Sequence, residues 1–277
     1  MVEEILSLGF ESLELSHGIR SSQLEGVLQA RERHKFSVSS VHNFLPMPVE
    51  VLTDSPDCYE FTSHRAKDRD RAMRLTLSSI DWAEKLGAPF VVVHTGRIRS
   101  LNLTAPLRKM VEQGKIYSRE FIKRKLEAVQ AREKVAEIYT ARILEFLGEA
   151  VEHAGKRGVK LGIENREYYE AVPSEREFPD FLQRLDAAHT GYWHDFGHAQ
   201  IKHNLGLIDH AQHLEKMAPS LLGCHIHDTR PPFTGETPFD QLVPLLPKKC
   251  ATVLEMSPRT EAADIVKAVG EWHQKFK

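Results

Sequence analysis

Short apolar runs alternate with longer segments of helical periodicity along the whole chain. Seven of these runs are rich in β-branched and aromatic residues, a composition that predicts strands. They cover residues 10–16, 36–44, 90–96, 160–165, 190–197, 221–228 and 251–257. The segments between them carry apolar residues on one face, as in 71–88, where a helix is expected to end at Gly87. Regular alternation of strand and helix indicates parallel strands joined by right-handed crossovers.

This number of units favours an α/β fold of the (β/α)8 TIM-barrel type, forming a single domain over residues 1–277. No glycine-rich GxGxxG loop follows an early strand, which argues against an open nucleotide-binding sheet. The strand count is one short of eight, and the chain opens directly on the helical pattern VEEILSLG. We therefore expect a TIM barrel that lacks its first strand or has it truncated.

A long helical insertion is expected over residues 97–155, a stretch much longer than one crossover helix. Ser118 has the position of an N-cap for a long helix that continues to Gly155. Residues 97–125 contain nine Lys or Arg against two Glu. Such an excess is typical of a solvated helical face, and an anion-attracting rim over the barrel mouth is the alternative interpretation.

Composition restricts the class of protein but not its activity. The 277 residues are 41% hydrophobic and 27% charged with a net charge of -2, so nothing draws the chain to nucleic acid or to an anionic membrane. No apolar run reaches transmembrane length, and the N-terminus has no signal-peptide pattern. Three cysteines without metal-binding or disulfide spacing suit a reducing compartment. These features predict a cytoplasmic protein of enzyme size.

Four chemically reactive side chains recur at the ends of successive predicted strands. They are Glu164, Asp195, His225 and Glu255, separated by 31, 30 and 30 residues, which is about one strand–helix unit. In a parallel barrel, side chains at the carboxyl ends of the strands converge near the axis. Three carboxylates so close together repel one another unless a cation neutralises them. We therefore expect these four residues to bind a divalent metal, Mn²⁺, Mg²⁺, Co²⁺ or Zn²⁺.

Further polar residues are expected around this group and are candidates for substrate binding. They are His42, His94, Arg166, His198, His227 and Arg230. For each histidine, a hydrogen-bonded structural role explains the position equally well, and for each arginine a surface salt bridge does. His210 and His213, by contrast, lie in a helical segment and are expected to be solvated.

The fragments LGFESLELS, AEKLGAPFVVVHTG, GIEN, HDFGH, HIHD and VLEMS occur in an order that resembles the xylose isomerase-like TIM-barrel superfamily. That superfamily includes sugar isomerases, ketose 3-epimerases, inosose dehydratases and endonuclease IV. The resemblance implies metal ligands at Glu164, Asp195, His225 and Glu255. It also implies that the two glutamates are the catalytic acid/base pair and that His198 contacts the substrate.

The resulting hypothesis is a metal-dependent isomerase or epimerase of a sugar, polyol or keto-sugar. Glu164 and Glu255 would transfer a proton next to a carbonyl, and the ion would stabilise the enediolate that forms. Three alternatives stay open: a lyase or dehydratase acting on a keto-polyol, an endonuclease IV-like phosphodiesterase, and a non-catalytic metal-stabilised barrel.

Within the endonuclease alternative, His42, His94 and His198 match histidines of the endonuclease IV metal cluster. The Asp-x-His pair of that cluster is not visible, however, because Asp240 has no following histidine. A small carbohydrate is therefore favoured as the substrate over nucleic acid, and association into a homo-oligomer is compatible with the fold. The residues do not specify the substrate, its phosphorylation or the number of metal ions.

Overall fold

The computed structural model describes residues 2–52, 55–228, 237–257 and 259–276. Its seven parallel strands pair in chain order and form a nearly closed α/β barrel, with the first and seventh strands as the edges of the described sheet. The strands are β1 (Ser12–Leu15), β2 (Ser37–His42), β3 (Phe90–Val93), β4 (Lys160–Glu164), β5 (Thr190–Asp195), β6 (Leu221–Ile226) and β7 (Ala251–Leu254). All seven predicted strands are confirmed.

Helices cover the outer face of the sheet, as the strand–helix alternation predicts. They are α1 (Val2–Ser7), α2 (Ser21–Arg33), α3 (Ala66–Leu86), α4 (Thr104–Glu112), α5 (Arg119–Glu133), α6 (Ala136–Lys156), α7 (Phe178–Gln183), α8 (Phe196–Asn204), α9 (His210–Met217), α10 (Phe239–Leu242) and α11 (Ala262–Phe276). Helix α3 ends as expected at Gly87, whose φ of 68° is in the left-handed region that favours glycine. Among the described helices, none has the length and apolar character needed to cross a membrane.

The insertion differs from its prediction, because the chain forms two helices where one long helix was expected. Ser118 is the N-cap, as predicted, and its hydroxyl accepts a hydrogen bond from the backbone N–H of Phe121 at 3.1 Å. Helix α5 then ends at Glu133, and α6 begins after Val135, whose φ of -125° and ψ of -11° are not helical. Buried Arg132 explains the break, because its guanidinium binds the backbone oxygens of Tyr169 and Ala171 at 2.7 and 2.6 Å. This anchor holds α5 under the loop after β4, while α6 turns to pack on α3.

The interior of the barrel below the strand ends is filled by one large side chain. Trp193 of β5 is fully buried and points to the same side of its strand as Asp195, two residues later. The neighbouring strands carry glycines opposite the indole. A Cβ atom would lie 2.9 Å from the Trp193 ring at Gly162 and 2.3 Å from it at Gly223. The indole therefore requires glycine on both sides, and it forms a rigid floor under the centre of the barrel.

The outer face of β5 carries a buried chain of hydrogen-bonded rings. The Tyr192 hydroxyl lies 2.8 Å from His194 Nδ1 and 2.9 Å from His213 Nε2, and His194 Nε2 lies 3.0 Å from His210 Nε2. The expectation that His210 and His213 are solvated is wrong, because they are only 2% and 7% exposed. Both lie on the face of α9 that packs against the barrel. Burial lowers the pKa of His210 to about 3 and that of His213 to about 4.

A first prediction concerns the glycine beside the indole. Gly223→Ala should destabilise the fold by ~1–3 kcal/mol, because the added methyl group overlaps Trp193. Gly148→Ala is the matched control, since Gly148 lies inside α6 with open space around its Cβ position; it should stabilise the fold by ~0.5–1 kcal/mol. Urea denaturation of both variants measures the difference. Equal stability of the two would contradict the role given to the indole.

A second prediction concerns the buried histidines. A histidine whose pKa is lowered by folding binds its proton mainly in the unfolded chain, so the stability it contributes is lost as the pH falls from ~6.5 towards 4. His213→Leu should reduce this loss by on the order of 2 kcal/mol. The exposed His273→Gln variant should leave it unchanged. Denaturation midpoints at pH 7.5, 6 and 5 provide the measurement, and the same pH dependence in all three proteins would refute it.

Candidate metal centre

The βα spacing brings the four predicted metal ligands to one end of the barrel. Glu164 and Asp195 are the last residues of β4 and β5, His225 lies one residue before the end of β6, and Glu255 directly follows β7. The register places Asp195 directly opposite His225 on the neighbouring strand. Glu164, Asp195 and His225 are at most 3% exposed. The side chain of Glu255 is 45% exposed and approaches the group from the rim.

One nitrogen atom lies at the centre of this group. His225 Nδ1 is 3.1 Å from Glu255 Oε2, 3.5 Å from Glu164 Oε1 and 4.0 Å from Asp195 Oδ2. It is buried and has no hydrogen-bond partner. The other ring nitrogen, Nε2, lies 3.0 Å from Glu14 Oε1. When Nε2 donates its proton to Glu14, Nδ1 presents a lone pair to three carboxylate oxygens, an arrangement that a divalent cation stabilises.

The charges around His225 show the same need for a cation. Burial alone would lower the pKa of His225, but Glu14, Glu255 and Glu164 together raise it well above its usual value. Burial would likewise raise the pKa of Glu164, yet His94 and His225 hold it well below its usual range. Glu14 and Glu164 are therefore ionised, and the field that attracts a proton to His225 also attracts a divalent ion. The residues present thus fit a metal.

Glu14 also belongs to this group of side chains, and the sequence analysis missed it. It lies in β1 and binds His225 Nε2 with one oxygen, while the Ser40 hydroxyl donates to its other oxygen at 2.6 Å. Carboxylates commonly occupy this position behind a metal-binding histidine, where they fix the tautomer and orient the ring. A signal was present in the sequence, because Glu14 stands between Leu13 and Leu15 in a strand with buried alternate positions.

The second oxygen of Glu164 contacts two of the predicted substrate-binding histidines. Glu164 Oε2 lies 2.7 Å from His94 Nε2 and 3.2 Å from His42 Nε2. On the far side of each ring, Nδ1 faces an acceptor: Asn43 O at 3.1 Å from His42, and Asp57 Oδ1 at 2.9 Å from His94. These acceptors orient the two rings so that each Nε2 faces Glu164.

Arg166 closes this side of the site. Its Nη1 lies 2.9 Å from His94 Nε2, and its Nη2 lies 2.9 Å from Asp57 Oδ2. Burial would raise the pKa of Asp57, but Arg166 and His94 hold it well below its usual range. Asp57 was also missed, since it lies in the irregular segment between β2 and α3, where no periodicity marks it. The buried Lys202 ammonium binds Arg166 O and Glu175, which fixes the backbone of Arg166.

The third part of the site surrounds Asp195, which is also the N-cap of α8. Its Oδ1 accepts a hydrogen bond from the backbone N–H of His198 at 2.6 Å, and its Oδ2 lies 3.0 Å from His227 Nδ1. The charge of Asp195 raises the pKa of His227 to about 9. Sequence reasoning missed Asn165. Its side-chain Oδ1 accepts a hydrogen bond from the backbone N–H of Asp195 at 2.7 Å, and its backbone oxygen lies 2.9 Å from His198 Nδ1. The predicted Arg230 lies outside the described residues.

Three overlapping sets of ligand atoms therefore share this end of the barrel, each set lying within 4.8 Å. They are His42, His94 and Glu164; Glu164, Asp195 and His225; and Asp195, His198 and His227. Glu164 and Asp195 each belong to two sets, so the whole arrangement is one continuous polar centre.

Comparison with solved structures identifies proteins of similar architecture. A D-tagatose 3-epimerase-like protein is 18% identical with a TM-score of 0.67, covering 99% of this chain and 91% of that one. D-psicose 3-epimerase from Clostridium cellulolyticum H10, crystallised with D-tagatose, is 12% identical with a TM-score of 0.69, covering 100% and 92%. The 3-keto-D-glucoside 4-epimerase of E. coli is 13% identical with a TM-score of 0.69, covering 98% and 92%. At these identities the likeness shows a shared fold.

Sequence comparison matches the chain to a family but not to any curated protein. No curated protein matches the chain significantly. The model of one family, described as the xylose isomerase-like TIM barrel, matches residues 2–264, which is nearly the whole chain. Together with the seven-stranded parallel barrel, this match shows that the chain belongs to the xylose isomerase-like TIM-barrel family.

Proposed function

We propose that the chain is a metal-dependent isomerase or epimerase acting on a sugar, polyol or keto-sugar. The observation that carries this proposal is the buried His225 Nδ1, which has no hydrogen-bond partner and faces oxygens of Glu164, Asp195 and Glu255. The similar solved structures include a ketose 3-epimerase and a 3-keto-glucoside 4-epimerase, and these activities support the substrate class.

The proposed ion would be held by Glu164, Asp195, His225 and Glu255. When bound, it supplies positive charge that polarises a substrate carbonyl and makes the neighbouring C–H more acidic. Oxygen ligands with one imidazole suit Mn²⁺, Mg²⁺ or Co²⁺, and Zn²⁺ also accepts such a set.

The two glutamates have different environments, which suits them to complementary roles. Glu164 is buried and its pKa is held well below its usual range, so it is ionised at neutral pH, as a base must be. Glu255 is half exposed, so its carboxyl group is in contact with water. One glutamate would remove the proton next to the carbonyl, and the other would return a proton. Loss of a β-hydroxyl after the first step would make the reaction a dehydration.

Other polar side chains would bind the remaining hydroxyl groups of the substrate. His198 and His227 lie at the mouth with half-buried rings whose planes are nearly perpendicular. The pKa of His227, raised to about 9, keeps its ring a hydrogen-bond donor at neutral pH. The fully buried Trp193 floor limits the depth of the site, so the substrate would bind across the mouth.

A phosphodiesterase of the endonuclease IV type is the second candidate. The observation that favours it is the proximity of His42 and His94 to Glu164, which would supply ligands for a further ion. Hydrolysis of a phosphodiester by this class uses two or more ions that stabilise the attacking and leaving oxygens. The number of bound ions therefore separates the two candidates.

A third prediction tests the catalytic glutamate. Glu164→Gln should lower the rate of solvent deuterium incorporation next to the carbonyl of a ketose by at least ~1,000-fold, because the base is lost. Glu167→Gln is the matched control. Glu167 lies on the loop that follows Glu164 and pairs with Arg108 at 3.2 Å, outside the centre, so this variant should retain the wild-type rate. NMR in D₂O across a panel of ketoses measures the exchange. Wild-type exchange in Glu164→Gln would reject the assignment.

A fourth prediction concerns metal-dependent stability. Adding Mn²⁺ at about 100 times its Kd should stabilise the fold by ~2.7 kcal/mol, and EDTA should reverse the gain. His225→Ala should abolish this increase, because it removes the nitrogen at the centre of the ligand group. Thermal denaturation with and without Mn²⁺ gives the result. An equal gain in wild type and His225→Ala would show that the ion binds elsewhere.

A further inference from the structure

The side of the centre formed by His42, His94 and Glu164 has the features of a cation site in its own right. Two imidazole Nε2 atoms converge on Glu164 Oε2, from His94 at 2.7 Å and from His42 at 3.2 Å. Each ring is fixed in this orientation by an acceptor behind it, Asn43 O or Asp57. Two imidazole nitrogens and a carboxylate oxygen are ligand types that divalent metals accept, and a positive charge beside them stabilises the ionised carboxylate.

Arg166 supplies that positive charge. A guanidinium group has only donors and stays protonated, so the contact of Arg166 Nη1 with His94 Nε2 at 2.9 Å uses the lone pair that a metal ion would need. Asp57 holds the arginine and the histidine together, since Oδ2 lies 2.9 Å from Arg166 Nη2 and Oδ1 lies 2.9 Å from His94 Nδ1.

The position of the guanidinium is over-determined by its surroundings. Its side chain is only 13% exposed. Its backbone oxygen is bound by the buried ammonium group of Lys202, which also pairs with buried Glu175. Because the backbone of Arg166 is fixed, its side chain cannot move away without breaking the ion pair with Asp57, and separating a largely buried ion pair is costly.

We propose that Arg166 is a resident cation that keeps a second metal ion out of the His42–His94–Glu164 set, so that the centre binds one ion. The inference rests on the proposed function, because the single ion is the one assigned to Glu164, Asp195, His225 and Glu255. It deepens that function by assigning one ion to the centre. An arginine in place of the second ion removes one of the ion positions that a multi-ion phosphodiesterase would use.

The experiment counts Zn²⁺ per chain by mass spectrometry after equilibrium dialysis against micromolar Zn²⁺. Wild type should retain one equivalent, and Arg166→Met should retain two. Adding His42→Ala to Arg166→Met should return the count to one, because it removes a ligand of the uncovered site. Arg108→Met is the matched control. Arg108 lies on α4, pairs with Glu167 and has a 43% exposed side chain, so its replacement should leave the count at one.

A second variant distinguishes loss of the metal site from loss of the fold. Arg166→Met leaves Asp57 without its buried partner, so the double variant Arg166→Met with Asp57→Asn removes both charges and should also bind two ions. Two equivalents in wild type, or one equivalent in the folded Arg166 variants, would overturn the inference and leave the proposed isomerase or epimerase activity to its own exchange assay. A wild-type chain that binds no Zn²⁺ would overturn the proposed metal centre, and this inference with it.

Discussion

The mutual repulsion of buried carboxylates at the carboxyl end of the barrel is the constraint on which the centre depends. Glu164 and Asp195 are almost completely buried within a few ångströms of His225, and Glu14 binds the far side of the same ring. Charges of one sign in a dry environment must be balanced by cations or they destabilise the fold. Every remaining feature of the centre supplies, orients or positions positive charge.

Each carboxylate has its own source of compensation. Asp57 is balanced by Arg166, Asp195 by His227, and Glu14 by the proton on His225 Nε2. The oxygens that face His225 Nδ1 raise the pKa of that ring well above its usual value, and the proposed ion would replace the proton that they attract there. The barrel makes the arrangement rigid, since the Trp193 floor is seated between two glycines and the loop after β4 is anchored by buried Arg132.

Much of this architecture could be predicted from the sequence, because a βα repeat is a local pattern with a fixed period. All seven strands follow from apolar runs, and the 31, 30 and 30 residue intervals place four ligand-type side chains at one end of the barrel. Tertiary contacts were harder to predict. The break between α5 and α6 depends on Arg132 reaching backbone oxygens almost forty residues away, and the burial of His210 and His213 depends on which face of α9 meets the sheet.

The residues that were not predicted from the sequence were missed for the same physical reason. Glu14, Asp57 and Asn165 orient other side chains, and their importance depends on partners from distant elements. Alternation in β1 pointed to Glu14, whereas nothing in the irregular segment before α3 marked Asp57.

Anomalous X-ray diffraction from crystals grown with Mn²⁺ tests the central claim most directly. The account predicts one peak, about 2.0–2.3 Å from His225 Nδ1 and bounded by Glu164, Asp195 and Glu255. A map without a peak at that nitrogen would contradict it.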